Sequence, residues 1–376
     1  MAPLPSLPAS YSRITLRERP RAAINPDLSK DGKGTFVMEK EVPMWRAEDL
    51  KEGQVVVKVE WVSIDPAMRG WLNPTRSYVP PVELGHAMRA AGVGRIALLP
   101  SSSRPATTED GNEKSAPLKE PLKVGDWVSG VMSWSEYHKM PVAEVQRIKI
   151  DDVVQPTYYL GALGMTGQTA YWGLHDTAKI QPGETVVVSG AAGAVGSLAC
   201  QLAKLHGCRV IAIAGGKDKC AWIKSELGVD EVIDYKQEWK AFAKEFREKV
   251  GYLDVYFDNV GGDILDLCLS RLKKNARIAL CGAISAYNDP SPRGLQMYLN
   301  LISQRAKIEG FIVLDYVDRY AEAAEHLSSY LRAGKLRIRE TRAVGLDRCV
   351  DALVGLFEGK NTGKMVVRIG GEGSRL

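Results

Sequence analysis

A short run of β-branched residues leads directly into three glycines spaced three residues apart, and this feature constrains the fold most. Residues 185–189 are Thr-Val-Val-Val-Ser, and glycines follow at Gly190, Gly193 and Gly196. Apolar side chains then recur at helical spacing from Val195 to Leu205. A strand, a tight glycine turn and a helix N-terminus form a pyrophosphate-binding loop, because free N–H groups and the helix dipole attract the anion. The segment therefore predicts a dinucleotide site.

The chain from residue 161 onward alternates between strand and helix patterns. Predicted helices cover 238–249, 264–272 and 320–333. Predicted strands cover 185–189, 209–214, 231–235, 253–259, 276–281 and 308–314. Alternation of this kind is typical of α/β proteins with a doubly wound parallel sheet.

The first part of the chain has a β-rich pattern instead. Residues 54–62 and 126–132 are rich in β-branched residues, and the polar stretch 101–121 between them predicts a surface loop that is dispensable for folding. Residues 364–369 predict a final strand that returns to this part. We therefore expect a first domain of residues 1–160 with 340–376 added to it, and a second domain of 161–339.

Composition limits the functional class. A chain of 376 residues with a net charge of +5 suits two ordinary globular domains and argues against a nucleic-acid role. It contains no apolar run of membrane-span length and no hydrophobic signal core near Met1. Its six cysteines all follow residue 199 and form no C-x-x-C pair, which is typical of reduced thiols in a cytoplasmic protein.

The end of the second predicted strand indicates which dinucleotide is bound. An enzyme that prefers NAD usually carries an acidic residue here, whereas this chain has Gly215 and Gly216, followed by Lys217 and Lys219. Space and positive charge suit the ribose 2′-phosphate of NADP(H). Asp218 lies past the strand end, where it can face solvent. The alternative is that the two lysines only form the solvated start of a helix.

Seven separate blocks together resemble one known family, the zinc-independent medium-chain dehydrogenases/reductases of the prostaglandin/leukotriene reductase and alkenal double-bond reductase type. The blocks are residues 64–70, 161–167, 190–196, 205–208, 234–236, 256–262 and 281–285. The resemblance implies a GroES-like β-barrel domain followed by a Rossmann domain. It also implies NADPH-dependent reduction of a carbon–carbon double bond conjugated to a carbonyl, and a homodimer paired through the sixth strand.

The resemblance also implies roles for individual residues, each of which has a structural alternative. The implied cofactor contacts are Gly193, Ala194, Val195 and Gly196 at the pyrophosphate, Lys219 and Tyr235 at the 2′-phosphate, Asn259, the loop from Cys281 through Ile284 to Tyr287 over the nicotinamide, Phe311, Ile312 and Val313 at the nicotinamide end, and Asn361 from the tail. Alternatively, Cys281 and Ile312 belong to the sheet core, Asn259 caps a turn, and Tyr235 only covers a strand end.

Zinc-dependent relatives place a metal-binding histidine after a glycine, as at Gly85-His86. Catalytic zinc needs about three protein ligands. This chain has no cysteine before Cys200, and Asp65 is the one candidate ligand where a cysteine would fall. The sequence therefore predicts no metal site, with His86 as an ordinary polar residue.

Without a metal, hydrogen bonds must stabilise the charge that grows on the carbonyl oxygen during hydride addition. Tyr287 is the candidate donor, because the resembled family has a tyrosine here, and the alternative is that it only packs. An apolar substrate pocket is expected from Trp71, Tyr78, Met132, Trp134, Tyr137 and Tyr316, unless these belong to the barrel core. A quinone reductase of the same fold and a non-enzymatic binding protein are the competing functions.

Overall fold

The computed structural model describes residues 6–100 and 121–370. The predicted polar loop lies outside the described residues except for Pro121. The chain separates into two compact units. The first unit comprises the chain up to Leu160, Arg342–Leu356 and the residues from Met365 onward. The second unit comprises Gly161–Thr341 and Phe357–Lys364.

The first unit is built mainly from antiparallel strands. In chain order its elements are β1 (Ser10–Leu16), β2 (Phe36–Pro43), β3 (Gln54–Ile64), α1 (Met68–Trp71), β4 (Arg89–Leu98), β5 (Trp127–Ser133), β6 (Tyr137–Pro141) and β7 (Gln146–Arg147). Strands β1 and β2 form a two-stranded sheet, and β3, β4, β5 and β7 follow one another in a larger sheet in which β6 also pairs with β3. The buried side chains of Phe36, Met68 and Trp134 form part of the core.

The second unit alternates helices and strands. Its elements are α2 (Met165–Trp172), β8 (Thr185–Val188), α3 (Ala194–Leu205), β9 (Arg209–Ala214), α4 (Lys217–Glu226), β10 (Glu231–Asp234), α5 (Trp239–Val250), β11 (Leu253–Asp258), α6 (Gly262–Leu269), β12 (Leu272–Leu280), α7 (Leu299–Gln304), β13 (Lys307–Gly310) and α8 (Tyr320–Arg332). The chain ends with β14 (Glu340–Val344), α9 (Arg348–Phe357) and β15 (Lys364–Arg368), where β14 and β15 extend the large sheet beside β3.

Six parallel strands of the second unit form one sheet in the order β10-β9-β8-β11-β12-β13. Alternate residues of β8 enter opposite cores, with Val186 and Val188 on one face and Val187 on the other. The predicted doubly wound fold is confirmed. The strand order reverses between β8 and β11, and folds of this kind bind ligands beyond the carboxyl ends of the strands at such a point.

Two predicted boundaries are wrong. Leu272 starts β12 instead of ending a helix, because α6 stops at Leu269 and the buried Leu272 pairs with Leu253 across the sheet. The strand predicted over 308–314 ends at Gly310, and a 3₁₀ turn occupies Val313–Arg319. The chain leaves the sheet here because the Phe311 ring packs on Phe257, with ring centroids 6.2 Å apart.

Within the described residues, no helix is long and apolar enough to cross a membrane.

Candidate functional site

The turn between β8 and α3 has the tight geometry that the glycine spacing predicts. Gly190 has a φ of 58°, and its carbonyl oxygen accepts a 2.8 Å hydrogen bond from the Gly193 nitrogen. A Cβ on Gly196 would lie 2.3 Å from that same oxygen, so no larger residue fits. The N–H groups of Ala194, Val195 and Gly196 begin the helix and have no intrahelical acceptor. This loop fits the pyrophosphate of a dinucleotide.

The end of β9 lies beside the predicted 2′-phosphate residues. A Cβ on Gly215 would lie 2.7 Å from the Tyr235 ring, so glycine is required for the ring to cover this backbone. The Asp234 carboxylate accepts hydrogen bonds from the backbone nitrogens of Gly216, at 2.8 Å, and Lys236, at 2.9 Å. Asp234 therefore holds the turn that follows β9, through these two hydrogen bonds.

Lys219 is half-buried, and its ammonium donates a 2.6 Å hydrogen bond to the Gly359 carbonyl. Burial, and after it the positive charge of Lys236, lower the pKa of Lys219. Lys236 therefore contributes a second cation here. Lys236 lies in the sequence block 234–236 but was not among the residues predicted to contact the phosphate. Asp218, in the same turn of α4, is exposed as expected.

Asn361 lies in the segment of the second unit that passes beside the glycine loop. Its side-chain amide donates to the Gly363 carbonyl at 2.8 Å, and the Gly363 nitrogen donates to the Ala192 carbonyl at 2.7 Å. The structure therefore brings Asn361 close to the predicted pyrophosphate loop.

Asn259 follows β11 and is tied to the start of the glycine loop. Its side-chain amide donates to the Ser189 carbonyl at 2.7 Å, and its backbone nitrogen donates to the Ser189 hydroxyl at 3.0 Å. The side-chain amide of Asn259 thus ties the end of β11 to the end of β8, whereas the turn before Gly261 is held by Asp258, and contact of Asn259 with the cofactor stays a prediction.

Asp258 was missed by the sequence analysis. It is fully buried, and its Oδ1 accepts bonds from the Ser189 and Tyr256 hydroxyls and from the nitrogens of Val260 and Gly261, at 2.7 to 3.0 Å. Its Oδ2 has no partner among the described residues. Burial raises the pKa of Asp258, against the lowering effect of those hydrogen bonds. The signal that the sequence offers for Asp258 is an acidic residue directly after an apolar strand run.

The loop from Cys281 to Tyr287 is attached to the end of β11. The nitrogens of Cys281 and Gly282 both donate to the Asp258 carbonyl, at 2.9 and 3.0 Å, and the Ile284 nitrogen donates to the Asn259 carbonyl. The Tyr287 hydroxyl accepts a 3.3 Å bond from the Ala283 nitrogen. This bond uses a lone pair of the hydroxyl and not its proton.

The Cys281 side chain packs against the core of the second unit, as its structural alternative proposed. Burial, followed by the charge of Asp258, raises the pKa of the Cys281 thiol to about 12. A thiol with this pKa is protonated at neutral pH and is a weak nucleophile.

The remaining predicted residues range from core to exposed positions. Phe311 packs on the core, while Ile312 and Val313 are half-buried in the turn that follows β13. Of the six residues predicted to shape an apolar pocket, Met132, Trp134 and Tyr137 are core residues of the first unit, which is the alternative stated for them. Trp71 is half-buried and Tyr78 is exposed, so the pocket stays a prediction. Tyr316 belongs to the second unit and stacks on Trp172 at 5.1 Å.

Among the residues that the structure describes, no three His, Cys, Asp or Glu side chains cluster as a metal site would require. His86 is exposed, with its Nδ1 3.5 Å from the Glu83 carboxylate. The absence of a metal stays a prediction.

Two family descriptions match the chain, "N-terminal domain of oxidoreductase" over residues 13–111 and "Zinc-binding dehydrogenase" over residues 194–329. A relative from Bacillus subtilis, YfmJ, is 43% identical to this chain over 326 residues, which cover 85% of this chain and 89% of that protein. Its name describes it as an NADP-dependent oxidoreductase. The chain belongs to the medium-chain dehydrogenase/reductase family.

Relatives in this family place the chain in its enone and alkenal reductase group. The 2-alkenal reductase (NADP(+)-dependent) of Nicotiana tabacum is 39% identical over 320 residues, covering 85% of this chain and 88% of that protein. The crystal structure of CurA from Vibrio vulnificus in complex with NADPH has a TM-score of 0.81 and 35% identity, and it covers 96% of this chain and all of that one.

Proposed function

We propose that this chain catalyses NADPH-dependent reduction of the carbon–carbon double bond of α,β-unsaturated ketones or aldehydes, which yields the saturated carbonyl compound. The observation that carries the proposal is that a tight glycine loop, a half-buried lysine and a tyrosine-bearing loop all follow the carboxyl ends of strands in one parallel sheet. This combination suits a phosphorylated dinucleotide together with a hydrogen-bond donor for a carbonyl oxygen.

The chain is an NADP-dependent oxidoreductase of the alkenal and enone reductase family, and its cofactor is NADP(H). In the proposal, the N–H groups of Ala194 to Gly196 bind the pyrophosphate, and Lys219, Tyr235 and Lys236 surround the 2′-phosphate. Asn259, Ile284 and Ile312 are the proposed neighbours of the nicotinamide. Bound NADPH supplies the hydride.

Tyr287 is the proposed catalytic donor. Negative charge grows on the carbonyl oxygen of the substrate as hydride reaches the β-carbon, and the Tyr287 hydroxyl donates a hydrogen bond to that oxygen. A positioned donor of this kind lowers the barrier by about 3 kcal/mol. The bond from the Ala283 nitrogen supports this role, because it fixes the position of the Tyr287 hydroxyl within the loop.

The test measures NADPH oxidation with a panel of enones, alkenals and quinones and identifies the products by gas chromatography and mass spectrometry. We expect saturated carbonyl compounds. Allylic alcohol as the main product would refute 1,4-addition, and turnover restricted to quinones would favour the quinone reductase alternative.

The same assay tests Tyr287. The Tyr287→Phe variant should lower kcat ten- to a thousandfold with little change in NADPH affinity, because the lost bond forms mainly in the transition state. Tyr252→Phe is the matched control, since Tyr252 is an exposed tyrosine of the same unit. A wild-type kcat in the Tyr287→Phe variant would exclude the donor role.

We further propose that the chain forms a homodimer, because β13 lies at the edge of its sheet and, among the described residues, pairs only with β12.

A further inference from the structure

Residues 359–363, which we call the strap, contact both of the proposed phosphate subsites. At one end, the Gly363 nitrogen donates to the Ala192 carbonyl at 2.7 Å, and Gly363 forms a parallel bridge with Gly193 of the glycine loop. At the other end, the Gly359 carbonyl accepts the 2.6 Å hydrogen bond of the Lys219 ammonium. One short stretch of backbone therefore touches the pyrophosphate loop and the lysine proposed for the 2′-phosphate.

The hydroxyl of Thr341 holds the strap at Thr362. The Thr341 hydroxyl donates to the Thr362 carbonyl at 2.9 Å and accepts from the Thr362 nitrogen at 2.9 Å. Residues 341 and 362 are 21 positions apart in the sequence, so this pair joins two distant segments. A group must both donate and accept to make this pair, and among side chains of this size a hydroxyl does so.

The strap has no room to shift toward its support. Gly363 has a φ of 71°, and a Cβ there would lie 1.9 Å from the Arg339 carbonyl oxygen. The next nitrogen, that of Lys364, donates to the same carbonyl at 2.9 Å. The strap is thus packed backbone to backbone against residue 339, and the Thr341 hydroxyl fixes its register two residues further along.

We propose that Thr341 is a positioning residue for the phosphates of the cofactor. The inference rests on the NADP(H) site of the proposed function, and it assigns to Thr341 no contact with the cofactor itself. Loss of the Thr341 hydroxyl frees the strap at Thr362. The Gly359 carbonyl, which orients Lys219, and the Gly363 backbone beside the glycine loop then lose their fixed positions. The effect falls on cofactor affinity and not on the chemical step.

The experiment compares Thr341→Val, which keeps the shape and removes the hydroxyl, with Thr341→Ser, which retains it. Direct fluorescence titration of NADPH without substrate should give a Kd about three- to tenfold higher for the valine variant, as expected for the loss of hydrogen bonds. The KM for NADPH should rise equally, with kcat at saturating NADPH within about twofold of wild type. The serine variant should bind like the wild type.

Thr169→Val is the matched control, because it removes a threonine hydroxyl bond, to the Met165 carbonyl in α2, far along the chain from the strap. A Kd for NADPH that is unchanged in Thr341→Val would overturn the proposal, even if that variant melts at a lower temperature. So would a Thr341→Ser variant as weak as Thr341→Val. Because the titration needs no substrate, failure of the enone assay would leave this result independent of the proposed reaction.

Discussion

At the scale of single residues, Lys219 is the side chain on which cofactor choice most depends. Its ammonium is already oriented by the Gly359 carbonyl, and Tyr235 covers the neighbouring glycine. A charge-assisted contact with phosphate contributes about 1.5–3 kcal/mol. Lys219→Ala should therefore raise the KM for NADPH roughly ten- to a hundredfold and leave that for NADH nearly unchanged, as measured by steady-state kinetics with both cofactors.

Lys217→Ala is the control for this prediction, since Lys217 is an exposed lysine in the same first turn of α4. Equal losses with NADPH and NADH would mean that Lys219 supports the fold of the site and does not recognise the phosphate.

How far single residues could be predicted depends on how local their partners are. The glycines at 190, 193 and 196 were found because their spacing and their contacts lie within one turn. The bond between Lys219 and Gly359 joins residues 140 positions apart, so no local pattern could indicate it. Asp258 was missed because its partners come from several segments, and one acid after an apolar run resembles an ordinary strand end.

At the scale of elements, strand positions followed from apolar runs, while strand ends depended on packing. Residues 209–214 are predicted and observed as the same strand because Gly215 follows it. The run 308–314 is apolar throughout its second half, yet the observed β13 stops at Gly310. Periodicity indicates only that a side chain packs against the core, and the half-buried Phe311 packs on Phe257 of β11 without belonging to the sheet.

The shorter β13 changes which surface we expect to form the homodimer interface. Strand β13 contains Lys307 and Glu309, so its edge is less apolar than the sequence indicated. The exposed apolar side chains instead lie just before it, at Tyr298, Leu299 and Ile302, and Ile302 is 73% exposed. An open edge beside such side chains favours pairing with another chain.

Light scattering at micromolar concentration should therefore give twice the chain mass of 41.2 kDa. Ile302→Lys should shift this mass toward one chain, because a buried lysine opposes association. Leu84→Lys, which adds the same charge at an exposed leucine of the first unit, should not. A single-chain mass for the wild type would reject the dimer.

At the scale of the whole molecule, stability should fall on mild acidification because of two half-buried histidines, His138 and His175. His138 in β6 is half-buried, its Nδ1 lies 3.1 Å from the Ser133 hydroxyl, and burial lowers the pKa of His138 to about 4. Burial, and after it the charges of His206 and His326, lower the pKa of His175 in the second unit to about 4. Both values lie below that of an unfolded histidine, about 6.5.

The sign of the effect follows from which state binds the proton. Above pH 6.5 the histidines are neutral in both states, and their full contribution to the free energy of unfolding is present. Between pH 6.5 and 4 the unfolded chain binds protons that the folded chain excludes, so the free energy of unfolding decreases as the pH falls. One group shifted in this way costs about 2 kcal/mol between pH 7 and pH 5.

Urea unfolding of three proteins at pH 7 and pH 5 isolates the contribution of His138. In His138→Gln the side chain no longer titrates, so the loss of unfolding free energy between the two pH values should be smaller than in the wild type by about 2 kcal/mol. His86→Gln removes an exposed histidine and should leave the wild-type loss unchanged. The carboxyl groups are present in all three proteins, so the comparison isolates the histidine. An equal loss in His138→Gln and the wild type would show that protonation of His138 does not oppose folding, and that the acid sensitivity of the chain has another origin.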